Sequence, residues 1–332
     1  MAIVTIGEVV ADWLSKEPGQ TLLTAHEFYR DLGGNATNTA VGLSRLGNHV
    51  LLVGKVGADF HGQFLTRILK EEKVDLSYLI VDSRYPSAQC YVITTESGDH
   101  LYSNWPRPHA ADMLEPEEIS KGMFENAKFI HATGISMMKE PRRTSVKRAI
   151  DLASEAGVII SFDGSFPTGA GDGARIHVEG LLRKSHLLKL NLQEALFWSE
   201  ADPQIDPKEL GKMLYERYRP KALLLTNSRH GSLVVTDKFV VPCPAICVET
   251  VSEVGAGDAY VAGALHWLHN LGLERPDQLD SLSEDDWLRA GMAGNICGAM
   301  VTRSVSAYAS LPTLQEFQSA WESYPSSRAK RA

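Results

Sequence analysis

Short, nearly continuous apolar runs separated by stretches of helical period constrain this chain more than any other feature. They fall at residues 3–6, 50–53, 129–132, 158–162, 187–190 and 222–225. A strand with one wet face alternates polar and apolar residues, whereas a strand covered on both faces does not. The segments between them read as helices, for example 36–46 and a stretch beginning near Pro141. Two helix starts carry their own capping chemistry. Asp206-Pro207-Lys208-Glu209 combines an N-cap, a first-turn proline and an N3 glutamate, and Thr313-Leu314-Gln315-Glu316 is a capping box opening a last helix. The alternation predicts an α/β class, with a doubly wound, mostly parallel sheet flanked by helices.

One region breaks the pattern. Residues 87–94 and 100–105 flank the turn residues Glu96, Ser97, Gly98 and Asp99, which predicts a hairpin with a four-residue connection. Paired with the stretch after Asp12, it makes a small antiparallel β layer outside the main sheet, as a lid or as an edge extension. With 332 residues, 44% of them hydrophobic, the chain is long enough for one large core. No repeat or Pro/Gly-rich linker divides it. Residues 1–325 therefore read as one domain with a lid formed by 12–30 and 87–107, and 326–332 as a flexible tail.

The net charge of −8 offers no field for nucleic acid or anionic lipid. No stretch approaches the roughly 20 apolar residues of a membrane span, and the first residues lack the basic and apolar regions of a signal peptide. Cys90, Cys243, Cys247 and Cys297 are scattered, and no second Cys or His pair completes a zinc set. They suit core thiols in a reducing cytosol, so a cytoplasmic location is expected, without nucleic acid or membrane as partner.

Three glycine clusters remain. Gly33-Gly34-Asn35-Ala36-Thr37-Asn38 leads into a helix. Paired glycines there bring free N–H groups close to a ligand, and Asn35 and Asn38 suit hydroxyls, although a tight turn with an Asn cap fits equally well. The cluster around Gly57 and Gly62 reads as a strand-to-helix turn capped by Asp59. In the third, Gly255-Ala256-Gly257-Asp258 opens an Ala-rich apolar helix. First-turn N–H groups and the macrodipole would converge on one anion, and Asp258 beside it would accept a proton from an attacking hydroxyl. Gly169-Ala170-Gly171-Asp172 repeats the same letters before a weaker, more polar helix start, so the rigid context selects 255–258. Neither turn is followed by the Gly-Lys-Ser/Thr of a P-loop, and no dinucleotide fingerprint follows the first strand.

Together the clusters at 33–38 and 255–258, in this order and separation, resemble the ribokinase-like carbohydrate kinases of the phosphofructokinase-B group. That group includes fructokinases and 2-keto-3-deoxygluconate kinases. The likeness runs from Gly7-Glu8 to Leu311-Pro312-Thr313. It implies an ATP-dependent kinase acting on a primary hydroxyl of a small sugar, with Asp258 as base and Gly255, Ala256 and Gly257 as anion hole. By resemblance Asp12, Gly33, Gly34 and Asn38 bind sugar, with Tyr102 and Arg107 contributed by the lid. Asn191 and Glu194 match an Asn-x-x-Glu element near phosphate and magnesium, with Glu194 acting on Mg2+ indirectly. Thr226 and Gly231 match a nucleotide-side loop, and Asn295 a helix bordering adenine. The lid also implies a homodimer contact.

Three departures stand out. Ser252-Glu253 replaces an Asp-Thr pair ahead of the 255–258 turn, and Ser306 replaces a glycine; both positions lie near a monovalent-cation site in the relatives, so the resemblance leaves potassium activation open. Asp163-Gly164-Ser165-Phe166-Pro167 lacks a phosphate-side arginine, for which Arg175 or Lys189 are the substitutes at hand. Ser228 replaces a glycine in the nucleotide loop. A fructokinase-like hexose kinase leads. A 2-keto-3-deoxygluconate or nucleoside kinase, a degenerate sugar- or nucleotide-binding regulator and a nicotinamide oxidoreductase follow in that order. As a base beside an anion hole, Asp258 is expected to hold a low pKa and stay ionised.

Overall fold

The computed structural model describes residues 1–17, 19–94, 100–105, 107–166 and 172–328. Nine strands form the main sheet: β1 (Ala2–Ile6), β4 (His49–Gly57), β5 (Leu79–Asp82), β8 (Ala127–Thr133), β9 (Ile159–Asp163), β10 (Leu187–Asn191), β11 (Ala222–Thr226), β12 (Ser232–Val235) and β13 (Val240–Cys243). A smaller sheet is made of β2 (Val10–Ser15), β3 (Phe28–Gly33), β6 (Ala88–Thr94) and β7 (His100–Trp105). The helices are α1 (Asn35–Arg45), α2 (Phe60–Glu71), α3 (Arg142–Glu155), α4 (Asp172–Leu182), α5 (Leu192–Ser199), α6 (Pro207–Tyr218), α7 (Ala256–Asn270), α8 (Glu284–Val301) and α9 (Leu314–Arg328).

The large sheet runs β13-β12-β11-β10-β9-β8-β1-β4-β5. It is parallel from β11 to β5, and β12 joins antiparallel to both β11 and β13. All six apolar runs lie on its parallel strands. Their continuity has a simple cause, because successive side chains enter opposite cores. Ile3, Phe129, Ile159 and Leu187 pack with α1, α2, α7, α8 and α9, while Val4, Ile130, Ile160 and Leu188 pack with α3 to α6. From β1 the chain turns to β4 on one side and later to β8 on the other. This reversal opens a crevice at the carboxyl ends of the central strands, the usual ligand position in such sheets.

Local chemistry sets the helix ends. Asp206 accepts the Lys208 N–H at 2.8 Å, Thr313 and Glu316 cap each other reciprocally, and Asp59 accepts the Gly62 N–H at 2.8 Å. The last helix runs through Arg328, so it takes in the start of the segment expected as a tail; 329–332 lie outside the described residues.

In the smaller sheet, the order is β3-β2-β6-β7. Two antiparallel pairs, β2 with β3 and β6 with β7, are joined by a parallel pairing of β2 with β6. The hairpin is present in register from Thr94↔His100 to Gln89↔Trp105, while its connection at 95–99 lies outside the described residues.

The face behind the crevice depends on close helix packing. A Cβ on Gly263 of α7 would stand 2.3 Å from the carbonyl oxygen of Ala293 in α8. Gly263→Ala is therefore expected to lower stability by about 1–3 kcal/mol in urea unfolding. Gly180→Ala, at an exposed helical position with nothing within 4 Å of the new methyl, is expected to be neutral or to stabilise by up to about 1 kcal/mol. Equal effects of the two substitutions would contradict the close approach.

Candidate active site

The turn 255–258 sits where helix α7 begins. Gly255 adopts φ 77°, a left-handed value that favours glycine, and this lets the chain enter the helix from Glu253 and Val254. Asp258 follows in the first turn and is 6% exposed. Its Oδ2 accepts a hydrogen bond from Asn38 Nδ2 at 2.9 Å. Burial pushes its pKa up to about 8. The Asn38 bond and Lys189 pull against that, and the charges of Asp163 and Glu8 add to it. The expectation of a low pKa is thus corrected: an acid with few water contacts and several acidic neighbours holds its proton longer than an exposed one.

A buried ammonium stands against the same turn. Lys189 Nζ lies 2.9 Å from Asp163 Oδ2 and 3.7 Å from Glu194 Oε2, and a Cβ on Gly257 would stand 3.0 Å from it. Burial disfavours the charged form, but Asp163 and Glu194 outweigh it and push the Lys189 pKa upward. Of the two substitutes for the missing arginine, then, Lys189 reaches the turn. Arg175 pairs with Glu200 at 2.5 Å and lies over the Phe197 ring, 4.9 Å from its centroid. Phe166, near the place where the arginine was expected, stacks on Phe197 at 5.1 Å. The competing turn at 169–171 lies outside the described residues; Asp172 opens α4.

The 33–38 cluster faces the small sheet. A Cβ on Gly33 would stand 1.9 Å from Asp12 Oδ2, so the carboxyl sits directly against that backbone. Gly34, at φ 100°, is the N-cap of α1. Loss of water around the Asp12 carboxyl, with the charges of Asp31 and Glu8, pushes its pKa up to about 8. Tyr102 has 59% of its surface exposed, yet desolvation of its hydroxyl, followed by Asp12, Cys90 and Asp258, pushes that pKa upward. Arg107 is exposed just beyond β7. Glu8, which carried no role in the sequence reading, accepts from the Asn35 N–H at 3.3 Å and from Ser136 Oγ at 3.0 Å.

Several of the residues matched to nucleotide binding have structural partners here. Asn191 and Glu194 cap α5 reciprocally, with Asn191 Oδ1 accepting the Glu194 N–H at 2.8 Å and Glu194 Oε2 accepting the Asn191 N–H at 2.7 Å. Asn295 donates to the carbonyls of Cys243 and Pro244 at 3.0 and 2.9 Å. Thr226 ends β11, and the backbone of Gly231 passes close to residues 243–245. Two of the departures meet: Ser228, at φ 44°, donates from Oγ to Glu253 Oε1 at 2.9 Å. Ser306 donates to Asp31 of the small sheet. Lys189 had a visible signal, a charged residue inside an otherwise apolar strand. The Asn38–Asp258 contact had none.

Residues 2–314 match the profile of the pfkB family carbohydrate kinase. The chain is 30% identical over 315 residues to the probable chloroplastic fructokinase-6 of Arabidopsis thaliana, covering 94% of this chain and 80% of that protein. It is 28% identical over 319 residues to fructokinase-1 of Zea mays, covering 95% of each. Among solved structures, its fold is similar to fructokinase with bound ATP from Xylella fastidiosa, with TM-score 0.86 and 23% identity over 98% of this chain and 99% of that one. It is also similar to fructokinase from Vibrio cholerae O395 in its fructose-, ADP- and calcium-bound form, with TM-score 0.81 and 22% identity over 96% and 98%. A profile match over nearly the whole length, together with the crevice and its two glycine clusters, assigns the chain to the pfkB family of carbohydrate kinases, enzymes that phosphorylate a sugar.

Proposed function

We propose that this chain transfers the γ-phosphoryl group of ATP to a primary hydroxyl of a hexose, with fructose as its substrate. The observation that carries the reading is the buried Asp258 carboxyl at the head of α7, with the Lys189 ammonium beside the same turn. Phosphoryl transfer asks the protein for positioning and charge stabilisation, and these are the two things that a helix N-terminus and a buried cation supply. Asp258 takes the proton of the attacking hydroxyl as the new P–O bond forms and the bond to the leaving diphosphate breaks. Asp12, Gly33, Gly34 and Asn38 hold the sugar, and Tyr102 and Arg107 cover it. Asn191, Glu194, Thr226, Gly231 and Asn295 line the nucleotide side.

Oxygen donors suit magnesium, and Glu194, whose Oε2 accepts the Asn191 N–H, would act on it through water. The ion would neutralise phosphate charge. Ser252 and Ser306 each carry hydrogen bonds of their own, the first accepting from Val254 N–H and the second donating to Asp31, and the reading does not require potassium. The small sheet leaves β3 and β7 as open edges, which supports a second copy pairing there. Four free cysteines support a reducing compartment such as the cytoplasm. A degenerate, non-catalytic role draws its support from the missing arginine and the altered Ser252-Glu253; Lys189 beside the turn weakens the first, and the intact Asp258 argues against the role.

Three outcomes test the proposal. Against a panel of fructose, ketodeoxygluconate, ribose and nucleosides, run with and without potassium, fructose is expected to turn over fastest in both; binding of ATP and sugar with no turnover on any acceptor would leave the regulatory reading standing. Asp258→Asn is expected to reduce kcat by about 10²–10⁴-fold with ATP affinity nearly unchanged, and Asp172→Asn to change neither. Retention of a tenth of the activity by Asp258→Asn would remove it as base. Because the base must be deprotonated, kcat/KM is expected to fall with decreasing pH below about 8, by about tenfold per pH unit. A limb near pH 4 would assign the titration to an ordinary exposed carboxylate.

A further inference from the structure

Asn38 and Asp258 stand 220 positions apart in the chain and meet at 2.9 Å. Both lie in the first turns of their helices, α1 and α7, and both are 6% exposed. Four residues further along each helix come Gly42 and Ala262, where a Cβ on Gly42 would stand 2.8 Å from the Ala262 methyl. The helices therefore run side by side at a separation that only small residues permit, and the next turn up places the amide against the carboxyl. Asn38 Oδ1 is buried and has no hydrogen-bond partner. Only the Nδ2 end of this side chain is in use, and it is used on the acid that removes the proton.

We propose that Asn38 is a positioning residue for Asp258, whose amide N–H fixes the carboxyl oxygen and favours its charged form, separately from any contact it makes with sugar. The inference rests on the kinase reading above. A hydrogen bond from a neutral donor to a buried carboxylate stabilises the charged form, which has few other sources of support here. The charged and titratable groups facing Asp258 are Asp163 from β9, Lys189 from β10, Glu8 beyond β1 and Tyr102 from β7. Asp163 and Glu8 oppose ionisation and Lys189 favours it, so the amide of α1 adds to a single cation.

Two substitutions test this. Asn38→Asp keeps the shape but places a second carboxyl at hydrogen-bond distance, where two carboxylates do not both ionise readily. Asn38→Leu removes the donor and leaves an apolar group of similar size. With fructose and Mg-ATP, the acid limb of kcat/KM is expected to move about one pH unit or more to the alkaline side in both variants. At neutral pH kcat is expected to fall about 10- to 100-fold, with partial recovery as the pH is raised. A second readout needs no turnover: in aspartate-labelled, ligand-free protein, the carboxyl resonance that Asp258→Asn removes is expected to titrate at higher pH in each variant. An unmoved limb and an unmoved resonance, with only the sugar KM raised, overturn the inference and leave Asn38 a sugar contact. If Asn38→Leu does not fold, Asn38→Asp alone decides. If the wild-type protein turns over no sugar, the kinase reading fails, while the resonance still reports the coupling between the two side chains.

Discussion

The crevice depends on one buried ammonium. Asp163, Glu194, Asp258 and Glu8 all lie at or beyond the carboxyl ends of parallel strands or at helix starts; Asp163, Asp258 and Glu8 are buried and Glu194 is partly so. Removing a carboxylate from water costs several kcal/mol unless a partner offsets it. Lys189 is that partner, in direct contact with Asp163, within 4 Å of Glu194 and beside the turn that carries Asp258. It leaves the third position of β10, between Leu188 and Leu190, which both enter the core packed with α3 to α6, and its backbone is paired with β9 on one side and β11 on the other. The acidity of the site is tolerable because the cation is built into its most rigid layer.

The framework was readable because it follows from short-range rules. Continuous apolar runs gave the parallel strands, since each side chain alternates between two cores, and capping residues marked the starts of α6 and α9. The parallel contact of β2 with β6 was not readable. Nothing in either strand distinguishes a parallel from an antiparallel neighbour, and the choice is made by how both strands leave the main sheet. The β12–β13 hairpin that closes one edge was likewise missed, because its runs are only four residues each.

In the site, what the residues display locally was legible and what they meet across the fold was not. Gly255 and Asp258 could be selected because an Ala-rich helix follows them. The proton affinity of Asp258 could not, because it is set by burial and by neighbours on three other elements. Asn191, Glu194 and Asn295 illustrate the converse: each matched a nucleotide-side pattern, and each also performs a local structural task as cap or cross-brace. Ser228 and Glu253, separately unusual in the sequence, are hydrogen-bonded to each other, so two odd positions became one feature.

The seam between α1 and α7 has a consequence for how this enzyme can change over generations. The two side chains that meet at the acid are chemically constrained, but they do not set the gap between them; Gly42 and Ala262, one turn away and touching no reactant, do. A single added methyl there would act as a wedge. Gly42 would have to displace Ala262 to accept one, so an inert position limits which substitutions the seam tolerates as surely as the acid does.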